Sequence, residues 1–209
     1  EELKSQNIAF LAFKPVLDTR DGSYIRSRDK NCRDIQALAV SSSQEILQLV
    51  HQAQDDTQTF ISEHKQVQTN SLSIQNAFAN QAHLKACLID EIFLLDSSLP
   101  EVIERLLKSG ISVYMSGLDR DFRGEYFPLK TQQNRSVSMQ DIIEQCDQAT
   151  ALKARCEVCN QPASLTQRLI NGLPAPYDSP TVLIGDEEYQ PRCPEHHQIE
   201  GKVTLSTAS

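Results

Sequence analysis

Apolar residues along the chain fall into two textures: short unbroken runs that end at breakers, and longer stretches with helical spacing. The first run, Ile8-Ala9-Phe10-Leu11-Ala12-Phe13, is halted by Lys14-Pro15 and predicts a strand buried on both faces. Asp18 to Ser23 is a polar, turn-rich loop. Gln36 to Val40 predicts a second strand, after which Ser41 to Ser43 offer capping hydroxyls to a helix carrying Ile46, Leu47 and Val50. Residues 51–82 are rich in Gln, Asn, Asp and Ser and read as polar helix surface and loop. Ala86-Cys87-Leu88-Ile89 predicts a strand that stops in two carboxylates, Asp90 and Glu91. The next helix is marked by Ser97 and Ser98 as caps and Pro100 in the first turn. Val102, Ile103, Leu106 and Leu107 form its apolar face, and Gly110 terminates it. Ile111 to Met115 predicts another strand, ending at Ser116-Gly117. Residues 139–153 predict a last helix, with Met139, Ile142, Ile143, Cys146, Ala149 and Leu152 as its apolar positions.

Strands alternating with helices predict an α/β fold, a mostly parallel sheet flanked by helices. Ligands in such sheets gather at the carboxyl ends of the strands, where Asp90, Glu91 and the segment Gly117 to Phe127 fall. After residue 150 the texture changes to Cys, Pro and Gly punctuation, so a core over 1–150 and a small second domain over 151–209 are expected. No internal repeat is visible.

Composition narrows the function classes. The 209 residues hold 20 Lys+Arg against 28 Asp+Glu, a formal charge of -8, which argues against a duplex nucleic-acid or anionic-membrane binder. No run of 18 apolar residues occurs, and Glu1-Glu2-Leu3-Lys4 lacks the plan of a secretory signal. Six cysteines are too few for a disulfide-dense secreted scaffold of this length, so their placement says more than their number.

Cys156-Glu157-Val158-Cys159 is a C-x-x-C knuckle and Cys193-Pro194-Glu195-His196 a C-x-x-H knuckle. Two such knuckles bring three thiolates and an imidazole together, the donor set of a closed, structural zinc site that supplies folding free energy and does no chemistry. A redox or disulfide pair is the plainer reading of the first knuckle, and His197 is a rival to His196 as ligand. Cys32, Cys87 and Cys146 fit no such pattern.

Leu88-Ile89-Asp90-Glu91 resembles a Walker-B strand, in which an apolar strand delivers an Asp toward a magnesium-bound triphosphate and the next Glu accepts a proton from a nucleophile. A solvated carboxylate pair ahead of a helix is the plainer alternative. Gly117-Leu118-Asp119-Arg120-Asp121-Phe122-Arg123-Gly124-Glu125-Tyr126-Phe127 packs three aromatics among charges right after a strand. It reads either as a pocket for a planar base or as a surface loop with its aromatics tucked in. In the tail, Thr166-Gln167-Arg168-Leu169, Pro174-Ala175-Pro176-Tyr177, Val182-Leu183-Ile184-Gly185 and Tyr189 suggest two short strands tied at their base by zinc. Such a loop is stiff enough to close over a ligand.

Together, in this order, the motifs resemble the type II (zinc-containing) thymidine kinase family over nearly the whole chain. The resemblance implies a P-loop-type α/β core followed by a zinc-held lasso. It implies ATP-dependent phosphorylation of the 5′-hydroxyl of deoxythymidine, and of deoxyuridine, in nucleotide salvage for DNA synthesis. On that basis Glu91 is the general base, Asp90 orders magnesium, and Arg20 lies near the phosphates. Leu118, Phe122 and Phe127 wall the thymine pocket, Thr166 and Tyr189 contact the base or sugar from the lasso, and Cys156, Cys159, Cys193 and His196 hold zinc. The family also implies a homotetramer, dTTP as a candidate feedback inhibitor, and a cytoplasmic setting in which thiolates stay reduced.

Three departures accompany the resemblance. The phosphate loop, G-x-x-x-x-G-K followed by Ser or Thr, does not occur in these 209 residues and is expected directly ahead of Glu1. After Glu91 the chain reads Ile92-Phe93-Leu94-Leu95 where relatives carry Gln and two Phe, so Leu94 stands in place of an aromatic base contact. The lasso is also one residue shorter than in some relatives between Gly185 and Tyr189. The alternatives to a kinase are a degenerate, nucleotide-sensing subunit and a non-catalytic zinc-ribbon binding module.

Overall fold

A computed structural model describes residues 8–26, 34–55, 84–132, 134–182 and 188–201. Most of the polar stretch 51–82 lies outside these, as do Cys32 and Leu183-Ile184-Gly185. Contacts group the chain up to Leu118 with Pro128–Val137 as one unit, and Asp119–Phe127 with the chain from Ser138 onward as another. The change of texture near 151 is a division of composition; the contact grouping is drawn on different residues.

In the first unit β1 (Phe10–Pro15) is followed by a two-stranded antiparallel ribbon of β2 (Tyr24–Ile25) and β3 (Ile35–Gln36). Then come β4 (Leu38–Val40), α1 (Ser43–Asp55), β5 (Ala86–Ile89), α2 (Leu99–Lys108) and β6 (Ser112–Met115). The four longer strands form a parallel sheet in the order β4-β1-β5-β6, with Phe13 beside both Leu38 and Ile89. Helix α1 packs on β4 and α2 on β6, and the two helices pack on each other. This is the expected α/β class. The chain leaves β1 toward one side and β5 toward the other, so the carboxyl ends of these neighbours flank a switch point, the place where α/β sheets collect ligands.

Every residue of β1 is buried, as its unbroken apolar run predicts. Its stop, however, is two residues later than expected, because Lys14-Pro15 does not break it. Lys14 is 1% exposed and its ammonium is satisfied by Asp18 Oδ2 at 3.1 Å and by the Tyr24 carbonyl at 3.3 Å. Pro15 lies past the last β1 residue that faces β5 and pairs only with Val40, where a missing N–H is tolerated. The second predicted strand is split, since the Ala37 N–H turns to the Ser23 carbonyl at 2.9 Å.

The helix faces follow the periodicity, with Ile46, Leu47 and Val50 buried in α1 and Val102, Ile103 and Leu106 in α2. Leu107, expected on the same face, is half exposed. The caps differ from expectation. Ser42 Oγ accepts from the Glu45 N–H at 3.3 Å, but Ser98 makes no side-chain cap at α2. The buried Asp96 carboxylate serves both helix starts. Its Oδ2 accepts from Ser43 N at 2.7 Å, and its Oδ1 accepts from Ser98 N at 3.0 Å and Ser98 Oγ at 2.5 Å. One anion thus sits at the positive ends of two packed helices.

In the second unit the last predicted helix is much shorter than 139–153. Helix α3 (Met139–Glu144) buries only Met139 and Ile142, and Leu152 is 90% exposed. Cys146 and Ala149 offer too little apolar area to extend it, and Asp147 opposes the helix dipole just past its end. A two-stranded ribbon, β7 (Ala154–Arg155) with β8 (Pro162–Ala163), precedes an antiparallel sheet ordered β10-β9-β11. Its strands are β9 (Leu165–Ile170), β10 (Leu173–Pro174) and β11 (Glu188–Arg192). Asn171 and Gly172, both at positive φ, form the two-residue turn from β9 to β10. Among the described residues no helix is long and apolar enough to cross a membrane.

Replacing Asp96 with Ala leaves buried helix-start donors without an acceptor. It is expected to cost about 3 kcal/mol in urea unfolding, with Asp96→Asn recovering part of the loss.

Candidate active site and metal centre

The loop after β1 and the end of β5 bring four charged side chains together. Carboxylate oxygens of Asp18, Asp90 and Glu91 all lie within 4.8 Å of one another. Arg20 joins them, with Nε 2.7 Å from Asp18 Oδ1 and Nη2 hydrogen-bonded to Glu91 Oε1. Asp90 accepts from the Ser116 hydroxyl at 2.5 Å. Burial alone raises the Asp18 pKa, but hydrogen bonds from Arg20 and Lys14 outweigh it and hold the carboxyl at about 2. The hydrogen bond to Asp18 raises the Arg20 pKa, burial opposes it, and Glu91 adds to the rise.

Glu91 is held in a backbone conformation that side chains disfavour, φ 49° and ψ 44°, at the start of a 3-10 turn over Ile92–Leu94. Ile92 N–H donates to the Ser116 carbonyl at 3.1 Å, fixing that turn against the end of β6. The approach is so close that a Cβ on Gly117 would stand 3.2 Å from Ile92 N and from Phe93 Cδ1. Hard oxygen donors of this kind suit magnesium, which binds through one or two carboxylates and keeps its waters.

In the second unit the knuckle donors converge. Cys193 Sγ lies 3.1 Å from His196 Nδ1, Cys156 Sγ 4.0 Å from the same nitrogen, and Cys159 Sγ 3.7 Å from Cys193 Sγ. Two thiolates each about 2.3 Å from a tetrahedral zinc stand roughly 3.8 Å apart, so the arrangement fits that ion. Burial raises the Cys156 pKa, but the backbone amides of Cys193, Cys159 and Val158 aimed at its sulfur bring it down to about 6, favouring the ligating thiolate. His197, the rival ligand, points elsewhere. Its Nε2 lies 2.8 Å from the Phe122 carbonyl and 3.3 Å from the Thr166 carbonyl.

The aromatic segment is a tight loop. Asp121 Oδ1 accepts from Arg123 N at 2.8 Å and Glu125 N at 3.2 Å, and Gly124 turns at φ 76°. Phe122 and Phe127 are both buried, so their rings are tucked in. Two guanidinium groups lie against the Phe122 ring, Arg123 at 4.5 Å and Arg168 at 4.4 Å from its centroid. Arg123 also donates to Asp121 Oδ2 at 2.6 Å, to the Tyr177 carbonyl at 2.6 Å and to the Ser179 carbonyl.

Register places Arg168 opposite Tyr189 and Thr166 opposite Pro191, so Thr166, Arg168 and Tyr189 share one face of the lasso sheet. Arg168 is 0% exposed and donates to the Pro180 carbonyl at 2.7 Å. Its Nε and Nη2 have no partner among the described residues. Three of the five expected substrate residues, Phe122, Thr166 and Tyr189, thus gather around an arginine not singled out in the sequence. Leu118 belongs to the first unit and is partly exposed, and Phe127 is engaged through its backbone with Asp119 and Met139. Asp18, two residues before Arg20, joins the acid cluster without a motif of its own in the sequence.

These features define an α/β protein with an acidic site at its strand ends and a separate metal-knuckle module. The chain belongs to the thymidine kinase family, whose sequence model matches residues 52–197, from α1 through both knuckles. A thymidine kinase of Coprothermobacter proteolyticus (strain ATCC 35245 / DSM 5265 / OCM 4 / BT) is 44% identical over 116 residues, 55% of this chain and 54% of the relative. The chain therefore spans about half the length of this curated relative.

Two outcomes are expected. Metal analysis finds one zinc per chain, and Cys193→Ser releases it with faster amide exchange across β7, β8 and the Cys193–His196 turn. The depressed Asp18 pKa contributes stability that is present above about pH 4 and lost as pH falls toward 2, up to roughly 2 kcal/mol. Acid titration of Asp18→Asn, followed by urea unfolding at each pH, is expected to lack that slope.

Proposed function

We propose that this chain is the main part of a thymidine kinase that transfers the γ-phosphate of ATP to the 5′-hydroxyl of deoxythymidine, and of deoxyuridine, in nucleotide salvage. The observation that carries this reading is the cluster of Glu91, Asp90, Asp18 and Arg20 at the switch point of a parallel sheet, in a chain of the thymidine kinase family.

On this reading Glu91 is the general base. It accepts the 5′-hydroxyl proton as that oxygen bonds to the γ-phosphorus, the bond from phosphorus to the β–γ bridging oxygen breaks, and ADP leaves. Asp90 and Asp18 would hold magnesium, which when bound neutralises charge on the triphosphate. Arg20 orients Glu91 and Asp18 and faces the phosphates. The Arg20 guanidinium hydrogen-bonded to Glu91 Oε1 would hold the carboxylate in place for transfer.

Leu118, Phe122, Phe127, Thr166 and Tyr189 would form the nucleoside pocket, supported by Arg168 against the Phe122 ring. A pocket that reads the base edge through fixed backbone groups rejects analogues that leave those groups unpaired. Cys156, Cys159, Cys193 and His196 would hold a structural zinc that stiffens the lasso. A kinase core over 1–150, a lasso over 151–209, a homotetramer, feedback by dTTP and a cytoplasmic setting complete the proposal.

Glu91→Gln keeps size and hydrogen-bonding shape while removing the base. In the full-length protein it is expected to lower kcat for thymidine roughly 10²–10⁴-fold with little change in zinc content. Unimpaired turnover in this variant rules out Glu91 as base, and an inactive unsubstituted protein favours a nucleotide-sensing or binding role.

A further inference from the structure

We infer that His197 is a positioning residue for the nucleoside wall, a hydrogen-bonding tie that holds the Phe122 and Thr166 carbonyls in register. The meaning of that wall rests on the thymidine kinase reading; the tie itself rests on geometry. His197 Nε2 is 2.8 Å from the Phe122 oxygen and 3.3 Å from the Thr166 oxygen. Both partners are carbonyls that only accept, so the proton sits on Nε2 and is shared between them. The two carbonyls belong to separate stretches of the second unit, the loop over 119–127 and β9. Their residues are two of the side chains expected to touch the nucleoside.

The histidine is rigidly placed. It directly follows His196, which supplies the imidazole of the knuckle cluster and whose backbone N–H closes a turn onto the Cys193 carbonyl at 3.1 Å. One residue further on, Gln198 N donates to Gln167 Oε1 at 2.7 Å, and Gln167 Nε2 donates to the Gln198 carbonyl at 2.8 Å, fixing the same stretch to β9. On its other side the ring packs near Gly124, where an added Cβ would stand 4.0 Å from His197 Cε1 and 3.3 Å from Leu165 Cδ2. A metal-held turn, one imidazole and two carbonyls therefore form a short rigid linkage from the knuckle to the wall. Zinc on this view matters to substrate binding through His197, without touching substrate.

Three substitutions separate this from general stability. Glutamine places an amide N–H close to the position of Nε2, asparagine places one near Nδ1, and leucine keeps bulk without a donor. In the full-length protein, His197→Leu is expected to raise the KM for thymidine roughly 10-fold, with kcat and the KM for ATP within about twofold of the unsubstituted values. Zinc stays at one per chain, and amide exchange quickens only over 119–127 and 165–169. His197→Asn is expected to match leucine, and His197→Gln to restore both readouts. The inference is overturned if glutamine is as damaging as leucine, if leucine leaves the thymidine KM unchanged, or if exchange rises throughout the second unit with zinc loss. If the unsubstituted protein does not phosphorylate thymidine, the kinase reading falls, and the tie is decided by exchange alone. A local increase in leucine that glutamine reverses upholds the tie, and no local increase removes it.

Discussion

A lysine with almost no exposure to water sets the geometry of the strand-end site. Burying an ammonium is costly unless a counter-charge accompanies it, so Lys14 pins Asp18 at 3.1 Å and with it the loop that follows β1. Asp18 in turn anchors Arg20, and Arg20 reaches Glu91 at the end of β5. The result is a line of alternating charges that runs from inside the sheet to its carboxyl edge. Three carboxylates gathered that closely would repel one another without the guanidinium, and a divalent cation would lower the remaining repulsion.

The second unit solves a different problem. Among the described residues its apolar cluster at the metal site is Cys156, Ala163 and Cys193 with Cys159 against them, too little to hold that irregular stretch by burial alone. A metal held by the four knuckle donors would supply the missing free energy. Gln167 and Arg168 are both buried on β9, one clasping the backbone of Gln198 and the other stacked on Phe122. Directional bonds of this kind tolerate little sliding, which suits a segment expected to present a fixed surface to a small, flat ligand.

Much of this was legible in the residues. The unbroken run of β1, the faces of α1 and α2, the acid pair after β5 and the spacing of both knuckles follow directly from local sequence physics. The differences mostly arise where a residue's role depends on how the folded chain surrounds it. Lys14 read as a stop because nothing nearby announces that Asp18 and Tyr24 will satisfy it. Serines 97 and 98 looked like caps because the doubly used Asp96 reveals itself only when two helices are packed. Apolar positions from Cys146 to Leu152 kept helical spacing, yet spacing without a surface to bury against does not sustain a helix. The places of Arg168 and His197 follow from what surrounds them in the fold, whereas Asn171-Gly172 is a plain local turn signal.

The left-handed backbone at Glu91 has an evolutionary consequence. Glycine or asparagine would occupy that conformation more comfortably, by on the order of 1 kcal/mol, so thermodynamic drift favours losing the acid whenever its chemistry is not required. A glutamate persisting there is maintained against its own conformational preference. On the reading proposed above, position 91 would serve as a molecular record: among descendants of such a chain, those that abandon proton transfer would be free to relax it.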